Sequence, residues 1–596
     1  MNRVAYLGPA STIDEVLSRL KAHNGFIAVD TETVSTVDRR IIGIGFAISA
    51  TEAFYFSAFQ DDPESGHYIS PYFQEALSIL ADSRRKVWFN ASFDLEVLEP
   101  FLPNYDQTDW QDVSIMCRVQ AMHNSLEMNA GEYLGRTHTT IQDILPKGKN
   151  MLSLPMPDVA WKCMNDCIVT WLLWYIMEGG RWIDDEPSGF IWRDGVNRPM
   201  DVTPEMVRAY RLDRELIPLL RKMGKKGLKL DIPLLRKHYT RLAEEKFRYL
   251  DICQQKFGFN PGSNQQTGYT LATRGNFLPW TKNGAWKQFA VDGANLSQLT
   301  DPLAAIVMEY RKRADQLSDV IEPLLGKPPG EKGKRVPYKD WQAFDRFTTH
   351  FRLDLATSRL ASYDRNIQNI TPELRAIFTP DSGTFTWWDM SQIEMRIFAY
   401  LSQDPVLLQA YREGQSIHML TMEALFPGQP KIRPDGSENP LYVDSKTFNF
   451  AMIYNAKATT LATHTRRPVD LCTILRAQWL DRYPRARDWM VEAEEEGLQH
   501  MWVETLEGRR CRLPDIMQQG EEHTRTCAIN YRVQGAAAWP VKVALLQGDK
   551  DGYDQRVQLH DEVLIDGDVA PPVEAYRWLM GELETPVETY HGAKWS

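Results

Sequence analysis

The sequence predicts a multidomain, mixed α/β protein, and three observations carry that expectation. A chain of 596 residues is too long to be organised around one hydrophobic core. Apolar strand-like runs alternate with helical stretches over its first third, whereas charged amphipathic segments follow them. Two groups of carboxylates, far apart in the chain, fall at the ends of strand-like runs, so two chemical centres are expected rather than one.

Composition narrows the class. With 43% hydrophobic and 25% charged residues and no long uncharged run, the chain reads as neither a membrane span nor a disordered protein. The opening MNRVAYLGPASTIDEV lacks the apolar core and cleavage site of a signal peptide, which predicts a cytoplasmic protein with no membrane partner. Seven scattered cysteines without a CxxC pair argue against a zinc site or a disulfide framework, and are expected as reduced core or surface thiols. The net charge of −11 counts against binding nucleic acid over the whole surface. Local basic segments such as LRKMGKKGLKLD and EYRKRAD nevertheless offer a phosphate-binding surface.

Residues 1–185 carry the runs GFIAVD, IIGIGFAIS, AFYFSAF and KVWFN between helical stretches, the pattern of an α/β domain. Residues 186–204, dense in Pro, Gly and Asp, read as a linker. From 205 to 350 the segments LLRKHYTRLAEEKFRYLDICQQKF and LAAIVMEYRKRADQLSDVIEPLL place apolar residues three and four apart, predicting an antiparallel helical arm. GKPPGEKGKRVP reads as a basic loop tip on that arm. Residues 351–596 mix short strands and helices and are expected to form one catalytic body.

In the first carboxylate group, GFIAVDTET is a strand ending on Asp30 and Glu32, which project to one face because they lie two apart. Asp94 follows the strand-like VWFN on a helix, and Asp166 lies on the amphipathic helix VAWKCMNDCIVTWLLW. Four such carboxylates would hold two Mg²⁺ ions about 4 Å apart, one generating hydroxide and the other stabilising the leaving oxygen. The ordered set DTET, NASFD and a later helical Asp resembles the proofreading exonucleases with four catalytic carboxylates, over nearly all of residues 20–180. That resemblance implies a ribonuclease H-like fold, 3′–5′ degradation and metal ligation by Asp30, Glu32, Asp94 and Asp166. Where such enzymes carry a Tyr one turn before the last Asp to orient the attacking water, this chain has Lys162, whose ammonium could hold that water or a phosphate oxygen, although a surface group with no role is the plainer reading.

In the second group, TFTWWDMSQIEMRIF delivers Asp389 to a strand end before a helix beginning near Ser391, and RVQLHDEVLIDG reads as two strands meeting at His560 and Asp561. Strand ends pin carboxylates well, so Asp389 and Asp561 are the simplest second two-metal site. Between them, Lys446, Phe450 and Tyr454 recur every four residues and would form one stripe on a helix. A bland amphipathic helix would bury the two rings. The functional alternative faces a nucleotide, with Lys446 on triphosphate oxygens, Phe450 on sugar and base, and Tyr454 near the templating base.

DMSQIEMR, KTFNFAMIY and HDE are similar, in order, to motifs A, B and C of family A DNA polymerases of the bacterial DNA polymerase I type, from about residue 205 onward. ATSRLASYDRNIQNI, ETLEGRRCRLPDI and INYRVQGAAA support them. The resemblance implies a right-hand fold: helical thumb over 205–350, palm over 351–405 and 546–596, fingers over 406–545. It implies DNA-directed DNA synthesis with proofreading, two Mg²⁺ per active site with Mn²⁺ as a substitute, and primer-template DNA and deoxynucleoside triphosphates as partners. Asp389, Asp561 and the Met390 carbonyl become metal ligands, with Glu562 in support. Glu394 excludes ribonucleotides at C2′, and Gln392 and His560 join the nucleotide and primer-terminus contacts. Arg359, Gln534 and Asn530 contact primer-template.

Three departures stand out: Tyr442 replaces the Arg one turn before Lys446, with Arg433 as a candidate substitute, Ala451 and Asn455 replace two glycines, and Met390 replaces a Tyr. The rival expectations are a ribonuclease D-like exonuclease whose C-terminal half only binds nucleic acid, and a catalytically idle DNA-binding or scaffold protein that keeps the polymerase shape. No 5′-nuclease segment precedes the exonuclease-like part, which suggests a bacteriophage or prophage replicase. A monomer is expected, and no processivity or replisome partner is identifiable from the sequence.

Overall fold

The computed structural model describes residues 4–8, 12–58, 71–177, 202–283, 286–327, 342–465, 467–572 and 586–595. Most of the expected linker, residues 186–201, and most of the basic loop tip, 328–337, lie outside them. The chain is a mixed α/β protein that divides into two compact units. One comprises Met1–Arg221, Leu353–Ser358 and His500–Pro514, and the other Lys222–Arg352, Arg359–Gln499 and Asp515–Ser596. Among the described residues no helix is long and apolar enough to cross a membrane. All seven cysteines are free and buried, so none is a surface thiol.

The N-terminal unit is built on a six-stranded sheet in the order Val4–Leu7, Ala53–Ser57, Ile41–Ala47, Ile27–Thr33, Lys86–Trp88, Trp110–Asp112. The first four strands pair antiparallel, while Ile27–Thr33, Lys86–Trp88 and Trp110–Asp112 run parallel. The helix Met156–Ile176 packs Val159, Ala160, Cys163, Cys167 and Ile168 into the core below this sheet. Gly45 makes that approach possible: a Cβ there would lie 2.6 Å from the Cys163 sulfur and 2.9 Å from that of Cys167. The helix backbone is thereby held close to the strand that carries Asp30, whose register partner is Gly45.

The hairpin Trp502–Glu504 with Arg510–Arg512 clusters with this unit, although its sequence position lies within the stretch read as fingers. Electrostatics explains the placement. Arg509 and Asp213 form an ion pair at 4% and 0% side-chain exposure, and a charge so buried is tolerable only beside its partner.

In the second unit, the helices Ile232–Phe257 and Pro302–Asp315 pack on each other, joined by the Arg313 to Glu245 ion pair at 2.8 Å. The segment between them is not a plain helical arm. It breaks into the helix Asn264–Thr273, the hairpin Trp280–Asn283 with Trp286–Phe289, and the short helix Gly293–Ser297. Turn chemistry causes the break: Gly258 takes φ 68° to cap the preceding helix, and Pro261 follows. A four-stranded antiparallel sheet, ordered Gln555–Leu559, Glu562–Asp566, Phe385–Met390, Val587–Gly592, carries both C-terminal aspartates. The long helix Glu521–Lys550 contacts the first two of these strands.

Candidate active sites

Asp389 is the penultimate residue of its strand and pairs in register with Glu562 on one side and Glu588 on the other. Asp561 sits in the tight turn between Gln555–Leu559 and Glu562–Asp566, beside His560, whose φ of 55° closes the turn. The two aspartates adjoin closely enough to hydrogen-bond when one is protonated, and each is pushed up. Burial, then the Asp561 charge, raises Asp389 to about 7. Burial likewise raises Asp561 and Glu562. Two half-buried carboxylates set side by side form a donor set suited to divalent cations, whose charge would offset the penalty of burial.

Glu562 is held by groups that no local sequence pattern announces. The indole of Trp595, itself fully buried, donates to Glu562 Oε1 at 2.6 Å, while Arg375 Nη1 lies 3.4 Å from Oε2 and stacks its guanidinium over the same indole at 4.5 Å. Only the pairing of Val587–Gly592 with Phe385–Met390 brings the C-terminal Trp there, and a lone terminal Trp carries no sequence signal of it.

Glu394, in the first turn of the helix Ile393–Ser402, accepts from the Tyr454 hydroxyl on one oxygen and pairs with Arg359 on the other. Gln534 adjoins the same phenol, and Asn530, one turn earlier on its helix, leaves its buried carboxamide oxygen without a protein donor. Gln392 takes a left-handed conformation (φ 54°) to start the Glu394 helix, and Met390 is buried at the strand end.

Lys446 and Phe450 lie on the helix Pro440–Met452, but Tyr454 falls just beyond it, a correction to the single-helix stripe. The last turn tightens, with Tyr454 N–H donating to Ala451 O, and Asn455 takes φ 53°. That is the left-handed cap conformation in which Asn is the natural alternative to Gly. Asn455 is pinned there by Glu494 at 2.7 Å and Arg476 at 2.5 Å.

Phe450 remains 40% exposed and, with Tyr454, lines a cleft of about 750 Å³ whose wall includes Lys457, Arg476, Glu494 and Arg525. Tyr442 is buried and carries two ammonium groups near its ring, Lys446 at 4.7 Å and Lys431 at 4.9 Å. Lys431 is thus a second cation on the ring that Lys446 approaches. Burial and these two lysines push the neighbouring His418 down to about 4, so it adds no charge near neutral pH.

In the N-terminal unit, ligand atoms of Asp30, Glu32 and Cys163 lie within 4.8 Å of one another. Burial, then the charges of Asp166 and Glu32, raises Asp30 well above the carboxylate range. Asp94 is buried and raised to about 7 by that burial, and its Oδ1 accepts from the Thr31 N–H (3.1 Å) and hydroxyl (2.6 Å). Asp166 Oδ1 lies 3.1 Å from His138 Nε2, a neighbour the sequence did not reveal. Lys162 corrects the surface reading. Its side chain is 12% exposed and points inward, with Nζ 2.9 Å from Glu32 Oε1 and 2.8 Å from Asp166 Oδ2. Burial works against its charge, yet Glu32, Asp166 and Asp30 hold the ammonium well above the usual lysine range.

Residues 234–579 match the family model described as DNA polymerase family A. The chain is 26% identical to DNA polymerase I of Chloroflexus aurantiacus, covering 97% of this chain and 61% of that protein. It is 27% identical to DNA polymerase I of Pseudomonas aeruginosa, covering 91% and 59%. It thus spans about 60% of the length of these curated relatives. The structure described as the POL domain of Pol1 from M. smegmatis in complex with DNA primer-template and dNTP superposes with a TM-score of 0.69 at 20% identity, covering 98% of this chain and 99% of that one, a likeness of fold.

Proposed function

This chain belongs to DNA polymerase family A, and on that premise we propose that it is a DNA-directed DNA polymerase that also removes nucleotides from 3′ ends. The carrying observation is the adjacency of Asp389 and Asp561 at neighbouring strand ends, both raised by burial, with Glu562 anchored by Trp595 and Arg375. The rival, an exonuclease whose C-terminal half only binds nucleic acid, leaves that costly adjacency without a role.

In the proposed reaction the primer 3′ oxygen bonds to the α-phosphorus of a deoxynucleoside triphosphate, and the bond to pyrophosphate breaks. Mg²⁺, held by Asp389, Asp561 and the Met390 carbonyl, would supply Lewis acidity at the primer hydroxyl and the phosphates. Lys446 and Lys431 neutralise the triphosphate, and Phe450 packs on sugar and base. Glu394, fixed by Arg359 and Tyr454, walls off C2′. Gln392 and His560 serve the nucleotide and primer terminus, while Gln534, Asn530 and Arg359 contact primer-template. The palm is proposed over 351–405 and 546–596, the fingers over 406–545, and the thumb over 205–350. Asp30, Glu32, Asp94 and Asp166 are the proposed exonuclease carboxylates.

The test is primer extension and single-stranded DNA degradation, each with Mg²⁺, in paired variants. Asp389→Asn or Asp561→Asn should abolish extension and spare degradation, and Asp30→Ala with Glu32→Ala should do the converse. Extension near wild-type rate in either palm variant would overturn the assignment.

A further inference from the structure

The four N-terminal carboxylates match the number that would hold two divalent ions, but an ammonium already bridges two of them, Glu32 and Asp166. Lys162 Nζ lies 2.8 Å from Asp166 Oδ2, while Asp166 Oδ1, 3.1 Å from His138 Nε2, is buried without a hydrogen-bond partner. Asp94 Oδ1 is taken twice by Thr31. Glu32 Oε1 is 2.9 Å from Lys162, and Asp30, whose Oδ2 accepts weakly from the Cys163 thiol at 3.5 Å, offers a ligand atom within 4.8 Å of one from Glu32. Lys162 cannot easily withdraw: it lies one helical turn before Asp166, on a helix held against the strand of Asp30 by the Gly45 contact.

We propose that the Lys162 ammonium stands in for one of the two divalent ions, so that the N-terminal site takes a single divalent cation, between Asp30 and Glu32. The inference rests on the exonuclease reading and deepens it. A lysine ammonium supplies charge and three hydrogen bonds, but it cannot ligate water. Lys162 would therefore orient Glu32, Asp166 and a phosphate oxygen, while a lone cation does the polarising. Degradation would then proceed well below what two ions would support.

Metal binding measures this apart from activity. In full-length protein carrying Asp389→Asn and Asp561→Asn, to silence the palm, titration with Mn²⁺ should give one site and an electron paramagnetic resonance spectrum of isolated ions. Adding Lys162→Met or, as a second neutral variant, Lys162→Gln should give two sites and the spectrum of a coupled pair, because ions about 4 Å apart interact. The charge-retaining Lys162→Arg should keep one site. Two ions with Lys162 present, or one ion in all these variants, would overturn the proposal. Adding Asp30→Ala and Glu32→Ala separates it from the broader reading. If those changes leave ion counts unaltered, the exonuclease assignment falls with it, whereas their abolishing binding while Lys162 variants change nothing removes the inference alone.

Discussion

The Tyr454 hydroxyl donates to the carboxylate of Glu394, joining the end of the Lys446 helix to the start of the helix that follows Asp389. Because Arg359 takes the other oxygen, the carboxylate is fixed in place rather than free to swing. A fixed wall excludes a 2′-hydroxyl better than a mobile one. Glu394→Ala should therefore lower discrimination against ribonucleotides about tenfold or more, as a ratio of kcat/KM values on one template. Tyr454→Phe keeps the ring but loses the bond and should lower it less. Unchanged discrimination in Glu394→Ala would remove Glu394 from the sugar pocket.

Phe450 is 40% exposed at the cleft and carries no hydroxyl. A dideoxynucleotide lacks its own 3′-hydroxyl and finds no replacement on the enzyme. Phe450→Tyr should raise its incorporation relative to the deoxynucleotide by about a hundredfold, the scale of one polar contact in a closed site. Equal competition in both proteins would show that the ring does not face the incoming sugar.

Lys431 and Lys446 share the face region of Tyr442, where an Arg is missing. Lys431→Ala should raise KM for deoxynucleoside triphosphates about tenfold with a smaller change in kcat, and Lys431→Arg should restore it. An unaltered KM would return Lys431 to the solvated surface.

The Arg509 to Asp213 pair predicts a stability effect confined to the N-terminal unit. Asp213→Asn strands a buried guanidinium and should cost about 3–5 kcal/mol by thermal or urea unfolding. The double change Asp213→Leu with Arg509→Met removes both charges and should recover most of it. A single variant as stable as wild type would mean that the pair is hydrated.

Local pattern made much of this molecule legible. Asp30 and Glu32 two apart on an apolar strand, Asp389 at the end of another, and Lys446 four residues before Phe450 each follow from the period of the element that carries them. Even the Asn455 cap is readable in principle, since few residues accept φ of 53°.

What the sequence alone could not decide depends on packing between distant segments. Spacing placed Lys162 one turn before Asp166, but the inward direction of its ammonium comes from the close approach of helix to strand at Gly45. Trp595 reaches Glu562 only because Val587–Gly592 pairs with Phe385–Met390, and Lys431 reaches the ring of Tyr442 only through tertiary contact. Periodicity assigns a side chain to a face of its own element. Which partner that face meets, and whether a charge there is solvated or paired, is settled by the tertiary fold, because the cost of burying a charge depends on the groups brought to it.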